Sequence, residues 1–139
     1  MSTNARSATL DLLQRYYAAF EAGDRATMLA LLSDDVQHDI NQGGRESGRE
    51  AFRAFMERMD RCYEERLSGL TLLASDCGTR GAAEFTVHGR YLAADDGLPP
   101  AHGQRYELPA GAFFAVHDGR ITRITMYYNL QDWIAQVAE

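Results

Sequence analysis

A chain of 139 residues, 45% hydrophobic and 24% charged, has the balance of an ordinary globular protein with room for one proper core. A net charge of -6 and scattered arginines argue against a nucleic-acid partner, and the complete absence of lysine excludes Schiff-base catalysis and a phosphate-cradling P-loop. No apolar run approaches the roughly 20 residues of a membrane helix, and the opening Met1-Ser2-Thr3-Asn4-Ala5-Arg6 lacks a secretory apolar stretch, so a cytoplasmic protein with no membrane partner is expected.

From Ala8 to Ala22, Leu10, Leu13, Tyr17 and Phe20 recur three or four apart, which predicts a helix closed by Gly23. Asp24 caps a second helix that carries Met28, Leu29, Leu31 and Leu32 inward and stops at Ser33-Asp34-Asp35. A strand from Val36 to Asn41 follows, broken by Gln42-Gly43-Gly44. Ser47-Gly48-Arg49-Glu50 has the spacing of a capping box and opens a third helix, with Phe52, Phe55, Met56, Met59 and Tyr63 as its buried stripe.

Beyond Glu65 the period becomes two. Leu67–Ser75, Gly81–Ala93, Gln104–His117 and Arg120–Tyr128 read as strands, the last two joined by an Asp118-Gly119 type I′ turn. Pro109 and Gly111 are expected to bulge or bend the third of these strands, curving the sheet. Asn129 caps a short final helix with Leu130, Trp133, Ile134 and Val137 buried. The long connection of residues 94–103 is expected to form a lid or part of a dimer contact. Cys62, in a helix, and Cys77, in a turn, have no CxxC partner and no histidines at zinc spacing, so reduced thiols and no metal site are expected. The order of elements is that of an α+β chain with a curved, mainly antiparallel sheet, in a single domain spanning residues 1–139.

Strand alternation puts Val36, His38 and Ile40 on one face, and the apolar pair marks that face as the inner one. A neutral imidazole in an apolar cavity can take a proton from a carbon next to a carbonyl, because its ordinary pKa of about 6.5 lies near working pH. The structural alternative is a histidine bonded to a backbone carbonyl or a tyrosine. Asp39 points the opposite way, so His38 and Asp39 are not a metal pair. On the last strand Ile124, Met126 and Tyr128 share the inner face. Phe85 with Val87 suits the core, leaving Glu84, Thr86 and His88 outside; the inverted register would make Glu84 the pocket carboxylate. Tyr17, Phe55, Met59, Phe85, Phe114, Met126, Tyr128 and Asn129 are the candidate ligand contacts.

The element order, Phe20-Glu21-Ala22-Gly23-Asp24, Asp34-Asp35-Val36, Ser47-Gly48-Arg49-Glu50-Ala51-Phe52 and His117-Asp118-Gly119-Arg120-Ile121 together resemble the nuclear transport factor 2-like superfamily, in its SnoaL-like and ketosteroid-isomerase-like branch. The resemblance spans about residues 8–137 and implies a cone: a cystatin-like bent sheet wrapped around long helices, leaving one mostly apolar pocket open at one end, often in a homodimer through the sheet's outer face. It also implies a tyrosine from the first helix, Tyr16 or Tyr17, donating a hydrogen bond to a developing oxyanion; only one of the two is expected to point squarely inward. The isomerase's acids would fall near Ile40 and Ala112, and the epoxide hydrolase's strand-borne acid near Met126, so these carboxyl groups are missing. The expected activity is proton transfer on a small hydrophobic carbonyl compound without a cofactor, as an isomerase or cyclase, with His38 and Tyr16 as catalytic residues. A non-catalytic ligand-binding or dimeric interaction domain is the alternative.

Overall fold

Hydrophobic periodicity resolves into ten elements in the computed structural model, which describes residues 2–138: α1 (Ser2–Ala22), α2 (Arg25–Ala30), β1 (Leu32–Asp39), β2 (Arg45–Ser47), α3 (Arg49–Cys62), β3 (Tyr63–Ala74), β4 (Arg80–Tyr91), β5 (Gln104–His117), β6 (Arg120–Tyr128) and α4 (Leu130–Val137). The strands form one curved, unclosed sheet in the order β2-β1-β6-β5-β4-β3. Every pairing is antiparallel except β1 with β6. Among the described residues no helix is long and apolar enough to cross a membrane.

Strands β3 to β6 form a meander whose inner face alternates with solvent-facing positions. In β4, Ala83, Phe85, Val87 and Tyr91 are buried while Glu84, His88 and Arg90 are exposed. Helix α1 lies on the inner face with Leu12, Leu13, Tyr16, Tyr17 and Ala19 buried. Its close approach requires Gly81, where a Cβ would lie 2.6 Å from Leu13 Cδ1. Fully buried Leu13, Leu32 and Ile121 each contribute about 1.5–3 kcal/mol through removal of apolar surface from water. The Asp118-Gly119 turn has positive φ at both residues, 51° and 73°, as a type I′ hairpin demands. Asn129 caps α4 by accepting from the Asp132 N–H at 3.0 Å.

Four local expectations change. Helix α2 ends at Ala30, and Leu32 opens β1 opposite Ile121; the register shifts between Leu32 and Gln37, so Ser33-Asp34-Asp35 is absorbed in an irregular strand rather than ending a helix. Ser47 is no helix cap. It belongs to β2 and its hydroxyl donates to Gln37 Oε1 at 2.9 Å, while Gly48, at φ 99°, makes the turn into α3 that L side chains resist. Tyr63 does not continue the α3 stripe: its φ of -137° is already extended, and β3 starts there. Pro109 and Gly111 do not bulge; register with β4 is continuous through both, and the shifts lie at Ala115/Val116 and Ser68/Thr71. Pairing of β5 with β6 ends at Ala110, so the missing Pro109 donor falls beyond that ladder. There α4 takes over, with Gln136 bonding both the N–H and the carbonyl of Glu107.

Candidate functional site

The inner faces of β1, β3, β4, β5 and β6, with α1, α3 and α4, enclose a cavity of about 380 Å³. That size suits a small organic molecule. Phe52, Phe55, Met56 and Met59 of α3 form one wall, and Phe85, Val87, Met126 and Tyr128 of the sheet form the other. The 94–103 connection supplies Asp95, Asp96 and Leu98 to the lining. It is tied down by Tyr91, whose hydroxyl donates to Pro99 O at 2.6 Å and accepts from the Asp95 N–H at 3.0 Å. Exposed Asp60 and Asp96 and the partly exposed Arg25 and Arg58 give the cavity a charged fringe, with Arg25 paired to Asp60 at 2.7 Å and Arg58 to Asp95 at 3.4 Å.

His38 projects into this space from β1 and is only 4% exposed. The rings of Phe52 and Phe55 meet it edge-on at 4.9 and 4.5 Å. Its Nδ1 is buried without a hydrogen-bond partner among the described residues, so neither a carbonyl nor a tyrosine fixes that nitrogen. Asp39 faces away, bound by Arg45 and Thr125, each at 2.6 Å. Burial, the main cause, lowers the His38 pKa from the ordinary 6.5 to about 4; the Asp39 charge opposes this and the Arg58 charge reinforces it. Between those values the unfolded chain binds a proton that the folded chain does not, so stability is expected to fall as pH drops from 6.5 towards 4. His38→Gln should flatten that part of the curve in urea unfolding across the window; an unchanged slope would mean that the folded imidazole titrates as it does in water.

Tyr16 and Tyr17 both line the cavity, against the expectation that only one would point inward. The wide apolar arc of α1 facing a concave sheet accommodates adjacent positions. Their rings meet at 5.3 Å and 90°, and Phe114 packs behind them at 5.9 and 6.1 Å. Burial pushes both phenol pKa values up, so both hydroxyls stay protonated donors, and neither has a protein partner among the described residues.

Of the other candidate contacts, Phe55, Met59, Phe85, Met126 and Tyr128 line the cavity, whereas Phe114 and Asn129 do not. Phe114 is completely buried behind α1, and Asn129 is exposed and spent on capping α4. Glu84 is exposed on the outer face, which settles the register of β4 with Phe85 inward. His88, also outside, is held between Ser68 at 2.7 Å and Glu107 at 2.8 Å. Ile40 and Ala112 line the cavity where relatives' acids were expected, so those positions are apolar.

One lining carboxyl escaped the sequence reading. Glu65 on β3 accepts a hydrogen bond at Oε2 from the Tyr106 hydroxyl at 2.5 Å, and burial raises its pKa, with Tyr106 and the Arg25 charge partly opposing that shift. The usable signal was alternation: extending the strand back from Leu67 puts Glu65 in phase with Tyr63 and Leu67 on the inner face. Among the described residues no group of three or more metal-ligating side chains converges.

The model of the SnoaL-like domain matches residues 13–124. Among solved structures, the chain is similar to a candidate polyketide cyclase from Pseudomonas putida, at 60% identity over 94% of this chain and 98% of that one, with a TM-score of 0.93. It is also similar to a candidate polyketide cyclase from Xanthomonas campestris, at 55% identity over 96% and 99% of the two chains and a TM-score of 0.93. TerC, co-crystallised with polyporic acid, shares 16% identity over 95% and 99% of the chains with a TM-score of 0.77, a likeness of fold alone. No curated protein matches.

Proposed function

The chain belongs to the SnoaL-like domain family, and from that premise we propose that it is a single-domain, cofactor-independent isomerase or cyclase moving a proton on a small hydrophobic carbonyl compound. The observation that carries this reading is His38: an imidazole with an unpartnered buried nitrogen, flanked on the inner face by the apolar Val36 and Ile40, looking into a ligand-sized cavity. His38 takes the proton from a carbon beside a carbonyl. The electron pair moves onto the carbonyl oxygen, and the Tyr16 hydroxyl donates a hydrogen bond to the enolate. A well-aimed donor of this kind is worth about 3 kcal/mol. Return of the proton at another carbon gives an isomer; attack of the enolate carbon on a second carbonyl closes a ring, and the alkoxide so formed takes the proton back from the His38 imidazolium. With a conjugate acid near 4, His38 is a weak base, which favours carbons acidified by two carbonyl groups over simple ketones. The test is deuterium incorporation from heavy water into a panel of ketones, diketones and enones, wild type against His38→Ala; full activity in the variant would refute the assignment.

The second reading, a non-catalytic binding domain, is favoured by Ile40 and Ala112 in place of acids. Ligand binding with no exchange across the panel would select it. Under either reading we place the chain in the cytoplasm, in keeping with its free thiols at Cys62 and Cys77. We also propose a homodimer through the outer face of the sheet. There Phe113 and Tyr127, 51% and 56% exposed, form an edge-to-face pair at 5.8 Å, and Leu73, 54% exposed, lies in the same cross-strand row as Phe113, beyond Ala82. Sedimentation at micromolar concentration should give a dimer, and Phe113→Glu a monomer; a monomeric wild type would refute the interface.

A further inference from the structure

Three neighbouring strands align Glu65, Gly89 and Tyr106 in one row: Glu65 pairs with Gly89 across β3 and β4, and Gly89 with Tyr106 across β4 and β5. Gly89 leaves the gap that makes the row work. A Cβ there would lie 2.1 Å from Tyr106 Cζ and 2.4 Å from its hydroxyl oxygen, so the tyrosine ring occupies the space of the absent side chain and reaches across β4 to Glu65. Trp133 of α4 meets the same ring edge-on at 5.8 Å. Glu65 lines the cavity and Tyr106 does not, so the tyrosine acts on a ligand only through the carboxyl. The hydroxyl satisfies Oε2, and Oε1 has no hydrogen-bond partner among the described residues, the Arg25 charge acting on the carboxyl from a distance.

His38 and Glu65 stand far apart on the inner face of the sheet. Strands β1 and β3, which carry His38 and Glu65, are separated in the sheet by β6, β5 and β4. On the strands between them Phe85, Leu108, Ile124 and Met126 are apolar, while Tyr16, Tyr17 and Tyr128, each with a hydroxyl, also line the cavity. We propose that Glu65 is a second binding residue, anchoring a hydroxyl group at the end of the ligand remote from the carbon acid, with Tyr106 and Gly89 as its positioning residues. The ligand is therefore a hydroxylated apolar carbonyl compound. A hydroxyl fits because it both donates and accepts, and so can pair with Oε1 in either protonation state. An ammonium group fits less well, since burial favours the neutral carboxyl. The carbonyl half of this assignment rests on the proposed function; the hydroxyl half does not.

The test is calorimetric titration of the full chain with tetralone and with a hydroxytetralone whose hydroxyl lies on the ring remote from the ketone. Wild type is expected to bind the hydroxylated probe about tenfold more tightly, the value of one good buried hydrogen bond. Glu65→Leu should bind the two probes equally, while Glu65→Gln, which keeps a donor and an acceptor, should recover part of the preference. Tyr106→Phe, which preserves ring packing, and Gly89→Ala, which displaces the ring, should both reduce the preference and leave tetralone affinity unchanged; a general loss of fold would weaken both probes together. Wild type without a preference, or Glu65→Leu with the wild-type preference, would overturn the proposal. His38→Ala separates the two assignments: it should keep the hydroxyl preference while losing deuterium exchange.

Discussion

His38→Ala is expected to slow deuterium incorporation into a diketone by about 10²–10⁴-fold, the usual contribution of a positioned general base. The ring contacts of His38 among the described residues are with Phe52 and Phe55, and its buried Nδ1 is bonded to nothing among them, so its removal breaks no hydrogen-bond network there. A parallel loss of fold would appear as weakened tetralone binding, which the exchange reading does not require. The pH profile adds an independent signature. Because His38 is protonated only near 4 in the folded protein, wild-type exchange should hold its neutral-pH rate down to about that value and fall below it. A decline centred on the ordinary imidazole value would mean that burial does not depress the folded His38 as expected, and its disappearance in His38→Ala would still assign the proton transfer to this residue.

Phe114→Ala is expected to destabilise the fold by about 3–5 kcal/mol, measured by urea unfolding. This ring is completely buried, sits on the central strand β5 between Gly81 and Ile124, and carries the edges of Tyr16 and Tyr17 at 5.9 and 6.1 Å. Loss of the ring opens a void that well-packed neighbours fill only in part. The two tyrosines would lose their backing, so exchange in any protein that still folds should fall as well. A variant within about 1 kcal/mol of wild type, with ligand affinity lost instead, would return Phe114 to the cavity wall.

The strands of residues 80–128 were readable because each repeats its pattern several times and the Asp118-Gly119 turn announces its own geometry, although the bulge expected at Pro109 and Gly111 is absent. Errors fell where a segment is short or its partner is distant. The three residues of β2 form only by pairing with β1, so Ser47 read as a helix cap until Gln37 was seen to take its hydroxyl. Tyr63 and Glu65 straddle the change from helical to strand period, where a window tuned to either misassigns the phase; that hid Glu65. Phe114 and Phe85 lie on the inner faces of adjacent strands and look equivalent in alternation, yet α1 covers one and leaves the other at the cavity.

The amino-acid sequence by itself determined the α+β class, the order of the long elements, the antiparallel meander and the inward direction of His38, because periodicity, capping and turn chemistry act within a few residues. Only the tertiary structure decided that Tyr16 and Tyr17 share the cavity, that Phe114 backs them, and that Tyr106 crosses Gly89 to Glu65, 41 residues away in the chain. Those contacts depend on register and burial across neighbouring strands, which no local pattern encodes.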